Sequence, residues 1–314
     1  MTTPIAVANL TKRYDAVTAL ADISFEVQAG EIMGFLGPNG AGKTTALRIL
    51  TGMLAPTAGT VRIDGLDVTE RSRDVRQRIG YLPEHVALYP ELRVQEYLHY
   101  RAAIKGIPRR ARLARVREAL EQCQLTEVPR TLIGRLSKGY RQRVALADCL
   151  IATPPILILD EPTVGLDPHQ IRQTRELIKA LGRTATILLS THILPEVEML
   201  CHRVTIIDKG RIVAVGTPDE LGQRLRGTQI VRVELRGEPS VIEPALRALP
   251  GVARVNLEGR ADGAAVFAVE AGAGRDIREA IFQLAVDRQW TLRELSTLRA
   301  SLEEVFIHLT TKEQ

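Results

Sequence analysis

Residues Gly37–Thr44 read GPNGAGKT. The spacing G-x-x-x-x-G-K-T is that of a phosphate-cradling loop, and its flanks are the ones such a loop needs. The apolar run Ile32–Leu36 before it is a strand pattern, and Thr44–Gly52 after it is a helix pattern. Glycines let the backbone of Gly37, Pro38, Asn39, Gly40, Ala41 and Gly42 wrap a phosphate with several N–H groups pointing inward. The helix start adds partial positive charge at the same point. Lys43 then reaches the β- and γ-phosphates of a bound nucleotide, the Thr44 hydroxyl ligates Mg²⁺, and Thr45 donates to the α-phosphate.

A second chemical centre lies further on, where Ile156–Glu161 reads ILILDE. The apolar residues form a buried strand, with Asp160 at its C-terminal end. Ligands of open α/β sheets gather at that edge. Asp160 is therefore placed to hold the Mg²⁺ shell, and Glu161 to polarise an attacking water. Other compact apolar runs, Thr186–Ser190 and Val204–Ile207, alternate with helix patterns at Pro168–Leu181 and Leu194–Leu200. That alternation predicts a largely parallel α/β core. Between the two centres, Arg93–Leu125 and Ser137–Ile151 carry apolar residues at helical spacing and predict an all-helical insert. Early strands are expected at Ile5–Asn9, Ile23–Val27 and Gly59–Ile63.

The pattern changes near Gly222–Gly227. Beyond it come a strand (Ile230–Leu235), a helix (Val241–Leu249), two strands (Ala253–Leu257, Ala264–Val269), a helix (Ile277–Arg288), a strand (Thr291–Glu294) and a final helix (Leu302–Leu309). The βαββαβ order is that of a ferredoxin-like α+β domain. We therefore expect two domains, residues 1–224 with the helical insert at about 85–150, and an accessory domain at 225–314.

Composition narrows the function. The chain has 314 residues, 45% of them hydrophobic and 25% charged, which suits a globular protein. No uncharged stretch approaches the roughly 18–20 apolar residues of a membrane helix, and the N-terminus lacks a secretory pattern. The net charge of +5 and the pI near 9.3 are mild and dispersed. With aromatics at 4%, no base-stacking platform is expected, and nucleic acid is not an expected partner. Cys123, Cys149 and Cys201 are far apart and form no CxxC pair, so neither disulfide nor zinc is expected, as in a reducing cytosol. His85, His99, His169, His202 and His308 are expected on the surface or in packing.

Leu136–Ala147 reads LSKGYRQRVALA, ahead of the ILILDE strand. Here the chain resembles the ATP-binding-cassette (ABC) ATPases, whose signature is LSGGQ. Companion motifs follow in order: Tyr14, the phosphate loop (Walker A), the Q-loop-like Gly80–Glu84, the signature, the Walker B strand with Glu161, the D-loop Val164–Asp167 and the switch His192 in STH. The resemblance spans about residues 4–220. It implies a P-loop NTPase ABC ATPase fold, a RecA-like core plus helical subdomain, that binds ATP and Mg²⁺ and hydrolyses ATP. It further implies that Tyr14 stacks on adenine. Ser137, Lys138, Gly139 and Tyr140 face the ATP of a second cassette, Asp167 crosses that dimer interface, and His192 orients water with Glu161. Lys43, Glu161 and His192 are the expected catalytic set.

The sequence departs from the family at three points. Lys138 replaces a glycine, and either adds a cation near the γ-phosphate or is a solvated helix-start lysine. Tyr140 replaces a glutamine. Glu84 stands where a glutamine touches Mg²⁺ or water, which alters the charge of that metal contact. The run of motifs, with STHILPEVE and the ending SLEEVFIHL, looks like ATP-binding subunits of ABC-2-type exporters of gliding-motility and multidrug type. This implies separate integral membrane subunits as partners, a second cassette (a homodimer), and a peripheral place on the cytoplasmic face of the membrane. The alternatives are a soluble ABC ATPase that remodels nucleic acid or ribosomes, and a small-molecule kinase, in which the signature and D-loop have no task.

Overall fold

The chain begins with a long antiparallel hairpin, β1 (Ile5–Tyr14) and β2 (Val17–Val27). Both strands alternate buried and exposed positions, so one face packs inward. The structure, a computed structural model, describes residues 3–221, 230–261, 263–272 and 276–298. Strands β4 (Ala58–Ile63) and β5 (Leu66–Asp67) complete an antiparallel sheet in the order β2-β1-β4-β5.

The second sheet has six strands. It contains β3 (Ile32–Leu36), β6 (Ile79–Leu82), β7 (Ile156–Asp160), β8 (Thr186–Thr191), β9 (Arg203–Asp208) and β10 (Arg211–Gly216), in the order β10-β9-β3-β8-β7-β6. Every pair but β9–β10 is parallel. Each residue of β3, β7 and β8 is buried, because a parallel strand covered on both faces leaves no side for water.

Helix α1 (Lys43–Leu50) buries Ala46, Leu47, Ile49 and Leu50 in a core shared with both sheets. Ile5, Leu20 and Ile63 come from the antiparallel side of that core, and Phe35, Ile158 and Leu188 from the parallel side. The rings of Phe25 and Phe35 lie 5.3 Å apart across the junction.

The remaining helices of this unit are α2 (Ser72–Arg78), α3 (Val94–Ile104), α4 (Arg109–Gln122), α5 (Lys138–Leu150), α6 (Pro168–Leu181) and α7 (Leu194–Leu200). The all-helical stretch expected over Arg93–Leu125 consists of two helices. Gly106, at φ 77°, and Pro108 break it, since a left-handed residue and a ring-locked residue cannot continue the helix. A half-buried ion cluster then fastens α3 to α5. Asp148 accepts from Arg101 Nε at 3.0 Å through both oxygens and lies 3.1 Å from Lys105 Nζ.

The chain divides into two compact units, Met1–Pro218 and Asp219–Gln314. The second unit contains β11 (Ile230–Arg236), α8 (Pro239–Arg247), β12 (Val252–Ala261), β13 (Ala264–Ala271), α9 (Arg278–Asp287) and β14 (Thr291–Leu298). Its sheet is wholly antiparallel in the order β12-β13-β11-β14. The strand order with both crossover helices is the expected ferredoxin-like arrangement. Val231, Val233 and Leu235 alternate inward on β11, and pack with Phe267, Ile242 and Ile281 into a separate core. The change of pattern at Gly222–Gly227, the helix expected at Leu302–Leu309 and His308 lie outside the described residues.

Candidate functional site

Strands β3, β8 and β7 are neighbours, and register sets their C-terminal ends level. Leu36 pairs with Thr191, and Ser190 with Asp160. The residues that leave these three ends are Gly37–Thr44, His192 and Glu161. Three stretches far apart in the chain therefore converge on one edge, where sheet ligands bind.

The loop geometry explains its glycines. Gly40 and Gly42 have φ of 83° and 106°, and Gly42 caps α1. A Cβ at Gly37 would sit 2.4 Å from the Ile207 carbonyl oxygen, and one at Gly42 would sit 2.6 Å from that of Ala19. The Lys43 side chain folds back over this loop. Its Nζ donates to the carbonyls of Gly37 (2.7 Å) and Pro38 (3.2 Å) and lies 3.3 Å from Glu161 Oε1.

Glu161 sits at φ 48°, a conformation that non-glycine residues rarely hold and that recurs at functional sites. Ser190 fixes it, since Glu161 N–H donates to the Ser190 carbonyl (3.1 Å) and hydroxyl oxygen (3.2 Å). The carboxylate is buried, with His192 Nδ1 3.0 Å from both its oxygens. His192 is 42% exposed at its side chain and forms the open wall of the site.

Asp160 is fully buried. Its Oδ1 accepts from the Ser190 hydroxyl, while Oδ2 has no hydrogen-bond partner. Burial raises its pKa above the usual carboxylate range; the hydroxyls of Ser190 and Thr44 oppose that rise, and the Glu161 and Glu84 charges add to it. An unpartnered, buried carboxylate oxygen beside a threonine hydroxyl is a fitting oxygen donor set for a hard divalent cation. Among the described residues no cluster of three or more His, Cys, Asp or Glu could hold a metal alone. Such an ion needs phosphate oxygens and water to complete its shell.

An open cavity of about 580 Å³ joins these groups. Asn39, Gly40, Gly42, Lys43, Thr44, Thr45, Glu84, Glu161 and His192 line it, as do Val164 and Ala19. Gly37, Pro38 and Ala41 support the loop behind it. Tyr14 does not line the cavity; it ends β1, 45% exposed, with the Lys12 ammonium 5.0 Å from its ring centroid.

The signature residues also lie away from this cavity. Ser137 caps α5, accepting from Tyr140 N–H at 3.4 Å, and the Arg143 guanidinium stacks 5.6 Å from the Tyr140 ring. Gly139 is packed so closely that a Cβ would meet Gln170 Oε1 at 2.3 Å. Asp167 caps α6, accepting from Gln170 N–H at 2.9 Å. Two contributors escaped sequence reading. Ala19 lines the cavity from β2, where no motif marks it. Ser190 stands beside the switch histidine, and its strand-end position next to a DE pair was the available signal. Away from the site, Cys123, Cys149 and Cys201 are buried free thiols, with the thiols of Cys149 and Cys201 pushed up by burial to about 12. His202 packs with β3, its Nδ1 accepting from Ile32 N–H at 3.0 Å.

Comparison with known proteins shows the family to which the chain is similar. Residues 20–164 match the ABC transporter family, and residues 216–310 match the C-terminal domain of DrrA1-3-like ATP-binding proteins. The chain is 36% identical to the daunorubicin resistance ATP-binding protein DrrA3 of Streptomyces coeruleorubidus, over 98% of this chain and 96% of the relative. It is 32% identical to the linearmycin resistance ATP-binding protein LnrL of Bacillus subtilis, over 96% of each. A Nod factor export ATP-binding protein I of Burkholderia pseudomallei is 40% identical over 73% of this chain and 76% of the relative. Among solved structures, the ATP-binding subunit of an ABC transporter superposes with a TM-score of 0.65 at 32% identity, over 71% of this chain and 93% of that one. A dimeric ATP-binding cassette in a post-hydrolysis state with ADP and Pi gives 0.63 at 26% identity, over 68% and 98%.

Proposed function

The chain belongs to the ABC transporter family of ATP-binding proteins, and from that membership we infer that it binds and hydrolyses ATP as the motor subunit of an exporter-type transporter. The observation that carries the chemistry is the convergence of Lys43 and His192 on the buried Glu161 carboxylate, beside the phosphate loop.

The residues take these roles. Gly37–Thr45 bind the phosphates, and Tyr14 meets the adenine. Glu161 polarises the attacking water and takes up its proton, while His192 orients both. The water oxygen bonds to the γ-phosphorus as the bond to the ADP oxygen breaks. Lys43 offsets the charge carried by the phosphoryl oxygens, so catalysis is positioning plus electrostatics. Asp160 and Thr44, with Glu84 nearby, are the residues to hold Mg²⁺, which when bound neutralises phosphate charge.

Two cassettes pairing across their ATP sites fits the placement of Ser137–Tyr140. These residues lie outside the chain's own cavity, where a second cassette's ATP can meet them. A dimeric neighbour bound to ADP and Pi supports the same reading. Among the described residues no helix is long and apolar enough to cross a membrane. The membrane path then belongs to separate integral subunits, with this chain on their cytoplasmic face. Residues 225–314 act as an accessory domain that supports pairing of the cassettes.

The test is co-purification of the tagged chain from detergent-solubilised membranes of its source cell. A stoichiometric multi-span protein is the expected companion. Ribosomal proteins or nucleic acid in its place would overturn the exporter reading.

A further inference from the structure

Glu196 is a fully buried carboxylate within the STHILPEVE stretch, four residues after His192, to which the sequence assigned no role. Its Oε1 accepts from the Thr163 hydroxyl and lies 3.6 Å from an Arg175 guanidinium nitrogen. Its Oε2 accepts from the Thr191 hydroxyl at 3.0 Å. The Thr191 oxygen in turn accepts from the Ile193 N–H at 3.0 Å. A buried carboxylate is costly unless it is paired and hydrogen-bonded, and this one is both.

Its two threonines hold special positions. Thr163 stands two residues after Glu161, at the entry to the D-loop, and Thr191 stands immediately before His192. His192 and Glu161 meet directly at 3.0 Å. The contacts therefore close a ring: from Glu161 along the chain to Thr163, across Glu196 to Thr191, along the chain to His192, and back to Glu161. Both short chain segments are tied to the same carboxylate, which does not line the cavity.

We propose that Glu196 is a positioning residue, which sets the separation and orientation of Glu161 and His192 through the hydroxyls of Thr163 and Thr191. It touches neither nucleotide nor water. It acts by holding the base and the switch histidine in one register, and by making movement of the D-loop entry felt at His192. Arg175, from α6 beyond the D-loop, supplies the counter-charge. The inference rests on the catalytic roles given above to Glu161 and His192.

The test is steady-state ATP hydrolysis and ATP binding by the full-length protein in four variants. Thr191→Val and Thr163→Val keep the shape and remove the hydroxyl; Thr191→Ser and Thr163→Ser keep the hydroxyl and remove a methyl. The expected result is a fall in kcat of about tenfold to a hundredfold in the valine variants, with ATP affinity held within about twofold and with the serine variants close to wild type. Unchanged turnover in the valine variants overturns the proposal. So does an equal loss in the serine variants, or a parallel loss of ATP affinity, since each marks a packing role. Glu161→Gln, measured alongside, separates the two readings. If it still turns over, the assignment of the base has failed. If it is inactive while the valine variants are active, only the proposal for Glu196 has failed.

Discussion

The Lys138 ammonium lies where the side chain of any residue but glycine at position 165 would begin: a Cβ on Gly165 would stand 1.9 Å from Lys138 Nζ. The lysine that replaces a signature glycine is exposed and does not line the chain's own cavity. It lies over the D-loop turn of the same chain. Gly165 also has a φ of 72°, so two constraints meet in one residue. Gly165→Ala is expected to lower stability by about 1–2 kcal/mol through the left-handed backbone. Nζ is the far end of a flexible side chain and swings aside, so Lys138→Ala is not expected to restore the loss. Denaturant unfolding of the two single variants and the double variant checks this, with additivity within about 0.5 kcal/mol. A restored double variant would show a stiff contact instead.

Glu161→Gln removes the water-polarising charge while leaving the phosphate loop in place. Turnover is expected to fall by about 10²–10⁴-fold, the range of a lost general base. ATP binding is retained, and ATP then accumulates in a trapped cassette dimer, visible as a doubled mass by light scattering. An unchanged hydrolysis rate refutes the assignment.

How much of this was legible in the sequence depends on how local the signal is. Gly37–Thr44 and Ile156–Glu161 are contiguous, and strand, turn and chemistry follow each other along the chain. Their meeting follows from the rule that parallel strands present their C-terminal ends to one edge. The βαββαβ order of the second unit was equally readable, because Val231, Val233 and Leu235 alternate without interruption. The weak signals belong to half-buried strands. β2 exposes every second or third residue, so only its end at Ile23–Val27 read as a strand, and β10 was not seen at all. The helix break at Gly106–Pro108 was written in the sequence, but the charged, regular spacing on either side concealed it. Glu196 stood in the STHILPEVE stretch, but its role was illegible, because a hydrogen bond across 33 residues to Thr163 has no period and no motif.

Lys43 and Glu161 form a buried pair, so removing one member leaves the other under-compensated. Lys43→Met is expected to weaken ATP binding by at least about tenfold, or about 1.4 kcal/mol. It should also destabilise the folded chain, because Glu161 then keeps only His192 beside it. Glu161→Gln placed in the Lys43→Met background removes that stranded charge and should recover part of the loss. A coupling of about 0.5–3 kcal/mol in the double-mutant cycle is expected from unfolding measurements. Strict additivity would mean that the pair carries no energy in the fold.

Asp160 works against the fold. Its pKa is raised in the native chain, chiefly by burial, so the native state holds its proton more tightly than the unfolded chain does. Stability then falls as pH rises from the ordinary carboxylate value, about 3.9, through the raised native one, and the whole cost is present above that value. Asp160→Asn removes the charge but keeps an oxygen for the Ser190 hydroxyl. It should therefore be more stable than wild type at neutral pH, with a higher Tm. The advantage should shrink to nothing as pH drops below the ordinary carboxylate value. Mg²⁺-dependent turnover should be lost in the same variant, the usual exchange of stability for function at a site. Melting curves across the acid range decide the point. A variant equally stable or less stable than wild type at neutral pH would show that the hydroxyls of Ser190 and Thr44 already offset the burial of the charge.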